Sequence, residues 1–274
     1  MRVNLFGAVN VDVDGQHVSR GDFGGVKPKQ VFEILVLERG APIDKDRLAD
    51  MLWSDGLPRD HVATLATYVS VLRHKLQPRV GVRDSVIRTE SGAYGIDVGQ
   101  IDLDLDEFDR LVAEAGRATA TRALALLRQA VELASGEVLA DERYVDWALP
   151  IRNVYRRRVV DALIRAAELS ICLDDPSPAF ELCERAILLD HANEQAYQLI
   201  MAAAGALGRR SLAAMTFTRC EEALMSELGV RPLDATRQLL ASVLDDDQVA
   251  AQRIGAALGT RIRDASRAPV AAAS

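Results

Sequence analysis

An internal repeat in the second half of this 274-residue chain limits its fold more than any other feature. Residues 183–188 (Cys-Glu-Arg-Ala-Ile-Leu) are matched by 220–225 (Cys-Glu-Glu-Ala-Leu-Met), and residues 198–200 (Gln-Leu-Ile) by 238–240 (Gln-Leu-Leu). Alanine-rich repeats with a period in the thirties are typical of stacked helix–turn–helix units, each of which buries its apolar face on the next. The sequence therefore predicts an all-α, tetratricopeptide-like domain over residues 101–244.

The first hundred residues follow a different pattern. Apolar residues at odd positions from Val3 to Val13, followed by the hairpin signal Asp14-Gly15, predict short strands. Three helices and a β-hairpin are predicted next, over about 28–38, 44–53, 61–77 and 86–98. Strands, three helices and a closing hairpin are the plan of a winged helix-turn-helix.

Together these patterns predict a mainly α chain of three parts. Residues 1–100 form a winged helix-turn-helix (α+β), and residues 101–244 form the helical domain. Residues 245–274 form a weakly patterned tail with one short helix near 248–258. The alternating stretch 101–105 is predicted to be a linker strand that belongs to neither core.

The third helix carries the most informative surface. Its predicted buried stripe consists of Val62, Leu65, Val69, Leu72 and Leu76, spaced three and four residues apart. The opposite face has small hydroxyl residues, one β-branched aliphatic residue and a basic tip, but no carboxylate after the cap: Ala63, Thr64, Thr67, Ser70, Val71, His74 and Lys75. Such a face suits close approach to a polyanion. An ordinary amphipathic helix packed on another domain remains the alternative at this point.

Charge is unevenly distributed along the chain. The net charge is −7, but residues 1–100 hold equal numbers of acidic and basic residues, so the whole excess lies in residues 101–274. A neutral first domain is compatible with a DNA surface, whereas an acidic domain is repelled by phosphate.

The sequence contains no recognisable group of catalytic residues. We therefore predict a protein that is not an enzyme and needs no cofactor or metal. The four histidines are scattered, and no nucleophile, metal-ligand or phosphate-loop motif is present. The three cysteines form no paired motif, which predicts buried free thiols and a cytoplasmic location. No apolar run is long enough to predict a membrane span.

At this point the chain resembles the actinobacterial antibiotic regulatory proteins, the SARP family, over roughly residues 3–244. In the first domain the resemblance lies in Leu5-Phe6-Gly7, Asp14-Gly15, Lys27-Pro28-Lys29-Gln30, Asp46-Arg47-Leu48, Leu52-Trp53 and Thr67 to Leu76. In the second domain it lies in Asp106-Glu107-Phe108, Gly136 to Asp141, Trp147 and Glu227 to Pro232. The resemblance implies an OmpR-type winged helix followed by a bacterial transcriptional activation domain. It also implies binding to promoter direct repeats and recruitment of RNA polymerase.

Two residues depart from the family pattern. Ala93 stands where the wing usually has a second glycine, and His74 stands where arginine is common. Because histidine titrates near neutrality, we predict that phosphate binding is weaker with His74 than with arginine, or depends on pH.

The candidate DNA contacts fall into three groups. For the major groove we predict Thr64, Thr67, Ser70, Val71 and His74, with Val71 against a thymine methyl group. For phosphates we predict Lys27 and Lys29 at the start of the first helix, and Arg73 and Lys75 on the flanks of the third. For the wing we predict Arg88 and Ser91.

A protein-interaction adaptor, whose winged helix contacts protein instead of DNA, is the alternative function. If the chain binds DNA, its sparse basic surface predicts weak binding to one half-site. Self-association on tandem sites would then supply the missing avidity.

Overall fold

The computed structural model describes residues 1–53 and 56–245. The predicted short helix near 248–258 lies outside the described residues. The strands are β1 (Arg2–Asn4), β2 (Asn10–Val13), β3 (Gln16–Val18), β4 (Ile43–Asp44), β5 (Ile87–Glu90), β6 (Ala93–Ile96) and β7 (Asp102–Leu103). The helices of the first hundred residues are α1 (Val26–Leu37), α2 (Lys45–Leu52) and α3 (His61–Leu76). Those that follow are α4 (Asp104–Ala115), α5 (Ala120–Leu133), α6 (Leu149–Cys172), α7 (Ser177–Leu189), α8 (Glu194–Ala206), α9 (Arg210–Leu228) and α10 (Asp234–Leu244).

The N-terminal sheet has the strand order β3-β2-β1-β7, in which β1 pairs antiparallel with β2 and parallel with β7. The alternation predicted from the sequence is present, since Val3 and Val11 face each other across the sheet and are fully buried. The prediction of a linker strand at 101–105 is wrong. Leu103 and Leu105 are buried, and the Asp104 carboxylate accepts hydrogen bonds from the amides of Leu5 and Phe6, so the segment completes this sheet.

Side-chain caps mark the start of two of the three N-terminal α-helices, α2 and α3. The Asp44 side chain caps α2 by accepting from the amide of Asp46, and the Asp60 side chain caps α3 by accepting from the amide of Ala63. The buried face of α3 consists of Leu65, Val69, Leu72 and Leu76. Val62, which was predicted to belong to this stripe, is 41% exposed.

A second sheet, of order β4-β6-β5, contains the closing hairpin. Glu90 pairs with Ala93, so the turn consists of Ser91 and Gly92. Gly92 has a φ of +82°, which glycine adopts without a steric penalty. Ala93 is already a strand residue, which explains why the chain tolerates alanine there.

The chain divides into two compact units, and the division differs from the predicted boundary at residue 100. Residues 1–107 and 134–152 form one unit, and residues 108–133 and 153–245 form the other. In the first unit, the segment 134–152 returns to the N-terminal sheet. The amide of Leu139 donates to the carbonyl of Leu5, and the amide of Gly7 donates to the carbonyl of Glu137.

The second unit is helical and contains the predicted repeat. α7 packs on α8, α9 packs on α10, and the matched residues Cys183 and Cys220 are both fully buried. Burial raises the pKa of each of these two thiols to about 12. The prediction that all three cysteines are buried is wrong for Cys172, which is exposed. Within the described part of the chain, no helix meets the length and apolarity needed to cross a membrane.

Candidate nucleic-acid interface

The outward face of α3 lacks negative charge over its whole length. Ala63, Thr67, Ser70, His74 and Lys75 are exposed, and no aspartate or glutamate occurs between His61 and Leu76. At 16 residues the helix is about 24 Å long, enough to lie along a DNA groove. The structure therefore brings five of the residues predicted from the sequence onto one accessible surface.

The threonine hydroxyls of this face are held in place by their own helix. Thr67 Oγ1 donates to the carbonyl of Ala63 at 3.0 Å, and Thr64 Oγ1 donates to the carbonyl of Asp60 at 2.8 Å. Each oxygen keeps its lone pairs as acceptors while its proton is engaged. Thr64 is half-buried and Thr67 is exposed, so Thr67 is the better placed of the two for a contact with a base edge.

Val71 is not the exposed aliphatic residue that the sequence predicted. It is half-buried, and a Cβ added to Gly24 would overlap Val71 Cγ1, so the valine packs on the loop that precedes α1. The prediction of a thymine-methyl contact is corrected for this reason. Gly24 has a φ of +83°, which also favours glycine at this close approach.

Arg73 holds the wing instead of extending towards solvent. Its Nε and Nη2 donate to the carbonyl of Ile87 at 3.1 and 2.7 Å, and Nη2 also donates to Thr89 Oγ1 at 2.8 Å. Burial lowers the pKa of this guanidinium from its usual value. Arg73 therefore ties α3 to β5, and the prediction that it grips a phosphate is corrected.

Three cations in the last turn of α3 and the loop that follows it remain available to a ligand. Lys75, Arg79 and Arg83 are exposed, and none of them has a hydrogen bond or ion pair with another described residue. Lys75 exerts only a longer-range attraction on Asp22, whose pKa is lowered mainly by a hydrogen bond from Ser19. Arg79 and Arg83 were not predicted as contacts, because they follow the helix in an irregular loop.

The two lysines at the start of α1 are placed differently from each other. Lys29 is 1% exposed, and its ammonium group lies 2.8 Å from Glu33 Oε1, 2.7 Å from Asp141 Oδ2 and in contact with Glu142. The prediction of a phosphate contact by Lys29 is therefore wrong. Lys27 is half-buried, and its ammonium group donates to the carbonyl of Leu52 at the end of α2. That bond leaves Lys27 a weaker candidate than the sequence suggested.

The buried cluster around Lys29 brings three carboxylates close together. Oxygens of Glu33, Asp141 and Glu142 lie within 4.8 Å of one another, and the Lys29 ammonium group supplies their positive charge. Burial alone would lower the pKa of Lys29, but these carboxylates outweigh it and raise the pKa above its usual value. Burial raises the pKa of Glu33 to about 8 despite the opposing effect of Lys29. At neutral pH, Glu33 therefore carries a proton, while Lys29 remains charged.

The wing offers one exposed polar residue and one paired cation. Ser91 lies at the exposed tip of the hairpin turn. Arg88 is 55% exposed, and its guanidinium lies 2.6 Å from Asp97 Oδ2. Surface ion pairs of this kind contribute little to stability, so a phosphate could compete for Arg88 at low cost.

Comparison with known families identifies the chain. Residues 103–244 match the model of the family described as "Bacterial transcriptional activator domain". The chain belongs to this family. It is a SARP-type transcriptional regulator, as the sequence resemblance predicted.

Known regulators align with this SARP-type chain over most of its length. The chain is 27% identical to "Regulatory protein DnrI" of Streptomyces peucetius, covering 90% of this chain and 93% of that protein. It is 27% identical to "Regulatory protein AfsR" of Streptomyces coelicolor and 26% identical to "Transcriptional regulatory protein EmbR" of Mycobacterium tuberculosis. These alignments cover 92% and 91% of this chain but 25% and 64% of those longer proteins.

A solved structure has the same fold as this SARP-type chain. The structure of "Mycobacterium tuberculosis EmbR in complex with low affinity phosphopeptide" superposes with a TM-score of 0.76 at 24% identity. The match covers 96% of this chain and 70% of that one. A mainly α chain with a winged helix-turn-helix followed by a helical domain, as predicted, is thus confirmed.

Proposed function

We propose that this SARP-type regulator binds promoter DNA sequence-specifically through α3 and the hairpin β5–β6, and activates transcription by contacting RNA polymerase. The observation that carries the proposal is the acid-free, exposed face of α3, which ends in Lys75 and is followed by Arg79 and Arg83. A solvated helix in a chain with 40 acidic residues would be expected to carry some of them on its outer face. Their absence fits a surface that approaches phosphate.

Within this surface the residues divide by role. Thr67, Ser70 and His74 are spaced three and four positions apart, so they form one stripe whose hydroxyl and imidazole groups can read base edges in the major groove. Lys75, Arg79 and Arg83 would contact phosphates and set the register of the helix. Ser91 would contact the sugar-phosphate backbone of the DNA and so position the wing on it.

Few free cations imply weak binding to a single half-site. Two copies on a direct repeat gain avidity when the sites lie on one face of the duplex, about 10–10.5 bp apart per turn. We therefore propose that the chain self-associates on tandem sites, and that the acidic helical unit serves contacts with protein.

The first test separates phosphate contacts from base contacts in the full chain. Lys75→Ala should weaken binding to all duplexes alike and reduce the slope of log affinity against log salt by about 1. Thr67→Ala should cost on the order of 1–3 kcal/mol on the cognate site and leave random DNA unchanged. Arg117→Ala is the matched control for lost charge, because Arg117 is exposed in the helical unit and should leave both quantities unchanged.

The outcomes distinguish this proposal from the adaptor alternative. If fluorescence anisotropy detects no salt-dependent binding to any duplex, the result would support an adaptor whose winged helix binds protein. Equal losses for Thr67→Ala on cognate and random DNA would exclude α3 as the reading face. Equal affinity per site on one-repeat and two-repeat duplexes would exclude cooperative binding.

A further inference from the structure

The last helix pair in the described part of the chain, α9 and α10, exposes an apolar groove with an acidic edge. A groove of about 450 Å³ is lined by Glu221, Glu222, Met225, Ser226, Val230, Arg231 and Pro232, on α9 and the loop that precedes α10. Met225 is 52% exposed and Val230 is 47% exposed. Stacked helical repeats bury such faces on the next unit, and among the described residues no unit follows α10.

The charges around this groove select for a basic occupant. Glu221, Glu222 and Glu227 are exposed, and none has a hydrogen bond or ion pair with another described residue. Among the described residues that line the groove, Arg231 is the single cation. A segment that places apolar side chains on Met225 and Val230, with cations beside the glutamates, would satisfy both features.

The sequence that follows α10 has this chemistry. Residues 248–267 lie outside the described residues, and they contain four arginines (Arg253, Arg261, Arg263 and Arg267) against one aspartate. The apolar residues Ile254, Leu258 and Ile262 are spaced four positions apart, a spacing typical of one apolar face of a helix.

We propose that residues 248–267 of the chain bind this groove in cis, with the arginines beside Glu221 and Glu222 and the apolar residues on Met225 and Val230. Chain length allows it, because α10 is about 16 Å long and the ten residues from Asp245 to Ile254 can span about 33 Å. Tethering gives an effective concentration of the order of 1 mM. A site with a Kd of about 0.1 mM would then be about 90% occupied.

Occupancy is measured by limited trypsin digestion of the full chain, with the cuts after Arg253 and Arg261 followed by mass spectrometry. Bound segments are cut slowly, so Glu222→Lys and Met225→Glu should each speed these cuts by about tenfold. Met215→Glu is the matched control, since Met215 is 65% exposed on the same helix but does not line the groove, and it should leave the cuts unchanged.

A second measurement observes the groove without changing it. In full chain labelled at the methionine methyl groups, Leu258→Asp should shift the NMR signal of Met225 and leave that of Met215 in place. The proposal is overturned if Met225 does not respond, or if the groove variants are cut no faster than the unsubstituted chain. It is also overturned if protection falls on dilution, because a second copy would then be the occupant. Groove variants that lose RNA polymerase binding while keeping the cutting rates would assign the groove to another protein.

Discussion

Replacing Lys29 by methionine should destabilise the first compact unit more than any change on the exposed face of α3. The ammonium group lies within 2.8 Å of Glu33 Oε1 and Asp141 Oδ2, in a site where the side chain of Lys29 is 1% exposed. Methionine has a similar length and fills the space, so the substitution removes mainly the charge. Asp141 and Glu142, 6% and 5% exposed, then lose the ammonium group that contacts them.

The expected cost follows from that arrangement. Removing one partner of a buried ion pair typically costs about 3–5 kcal/mol, because the remaining charge stays buried and uncompensated. Folded domains have a total stability of about 5–15 kcal/mol, so the loss is a large fraction of it. For a unit of this size, the expected fall in Tm is on the order of 10–20 °C.

The assay is urea and thermal unfolding of the full chain, combined with hydrogen exchange at the amides of Gly7 and Leu139. These two amides bridge the N-terminal sheet and the returning segment 134–152, so they should exchange faster in Lys29→Met. Lys27→Met is the matched control. It loses only the hydrogen bond to the carbonyl of Leu52 and should cost about 1 kcal/mol.

A charge-neutralised background tests the cause. In the triple variant Lys29→Met, Asp141→Asn, Glu142→Gln, the buried charges are gone, and we expect at least half of the lost stability to return. The reasoning is refuted if Lys29→Met costs less than about 1 kcal/mol. It is equally refuted if the triple variant is no more stable than the single one, since uncompensated charge would not then be the cause.

Three further predictions concern the same unit. Because burial raises the pKa of Glu33 to about 8, the folded state keeps a proton that the unfolded chain loses near pH 4.5, and stability declines as pH rises between these values. The stability advantage of Glu33→Gln over the unsubstituted chain should therefore grow as pH rises to about 8, and reach on the order of 3 kcal/mol at pH 7. A variant that is less stable than the unsubstituted chain at pH 7 would show that Glu33 is ionised there. Arg73→Ala should lower the free energy of unfolding by about 1–2 kcal/mol in thermal melts and leave the slope of log DNA affinity against log salt unchanged. A slope reduced by about 1 would instead show that Arg73 contacts a phosphate. A fragment ending at residue 100 lacks β7, Asp104 and the segment 134–152, so circular dichroism should show it melting well below the full chain, and a cooperative melt at the full-chain temperature would contradict this.

Local sequence determined the elements and the character of the α3 surface. The helix limits followed from signals that act within a few residues, such as the Asp44 and Asp60 caps and the three- and four-residue spacing of Leu65, Val69, Leu72 and Leu76. The hairpin followed from Gly92, and the paired helices α7–α8 and α9–α10 followed from the internal repeat. The exposed stripe of Thr67, Ser70 and His74 needed only helical periodicity to be predicted.

The tertiary structure decided which charged and apolar groups are free to act. Lys27, Lys29 and Arg73 carry the same positive charge as Lys75, but each contacts a partner distant along the chain. Lys27 contacts Leu52, Lys29 contacts Asp141 and Glu142, and Arg73 contacts Ile87. Likewise, Val71 meets the loop at Gly24, and Leu103 pairs into the N-terminal sheet. Periodicity reports which side of its own element a residue occupies. It carries no information on which distant segment packs there, because that depends on the burial of the whole unit.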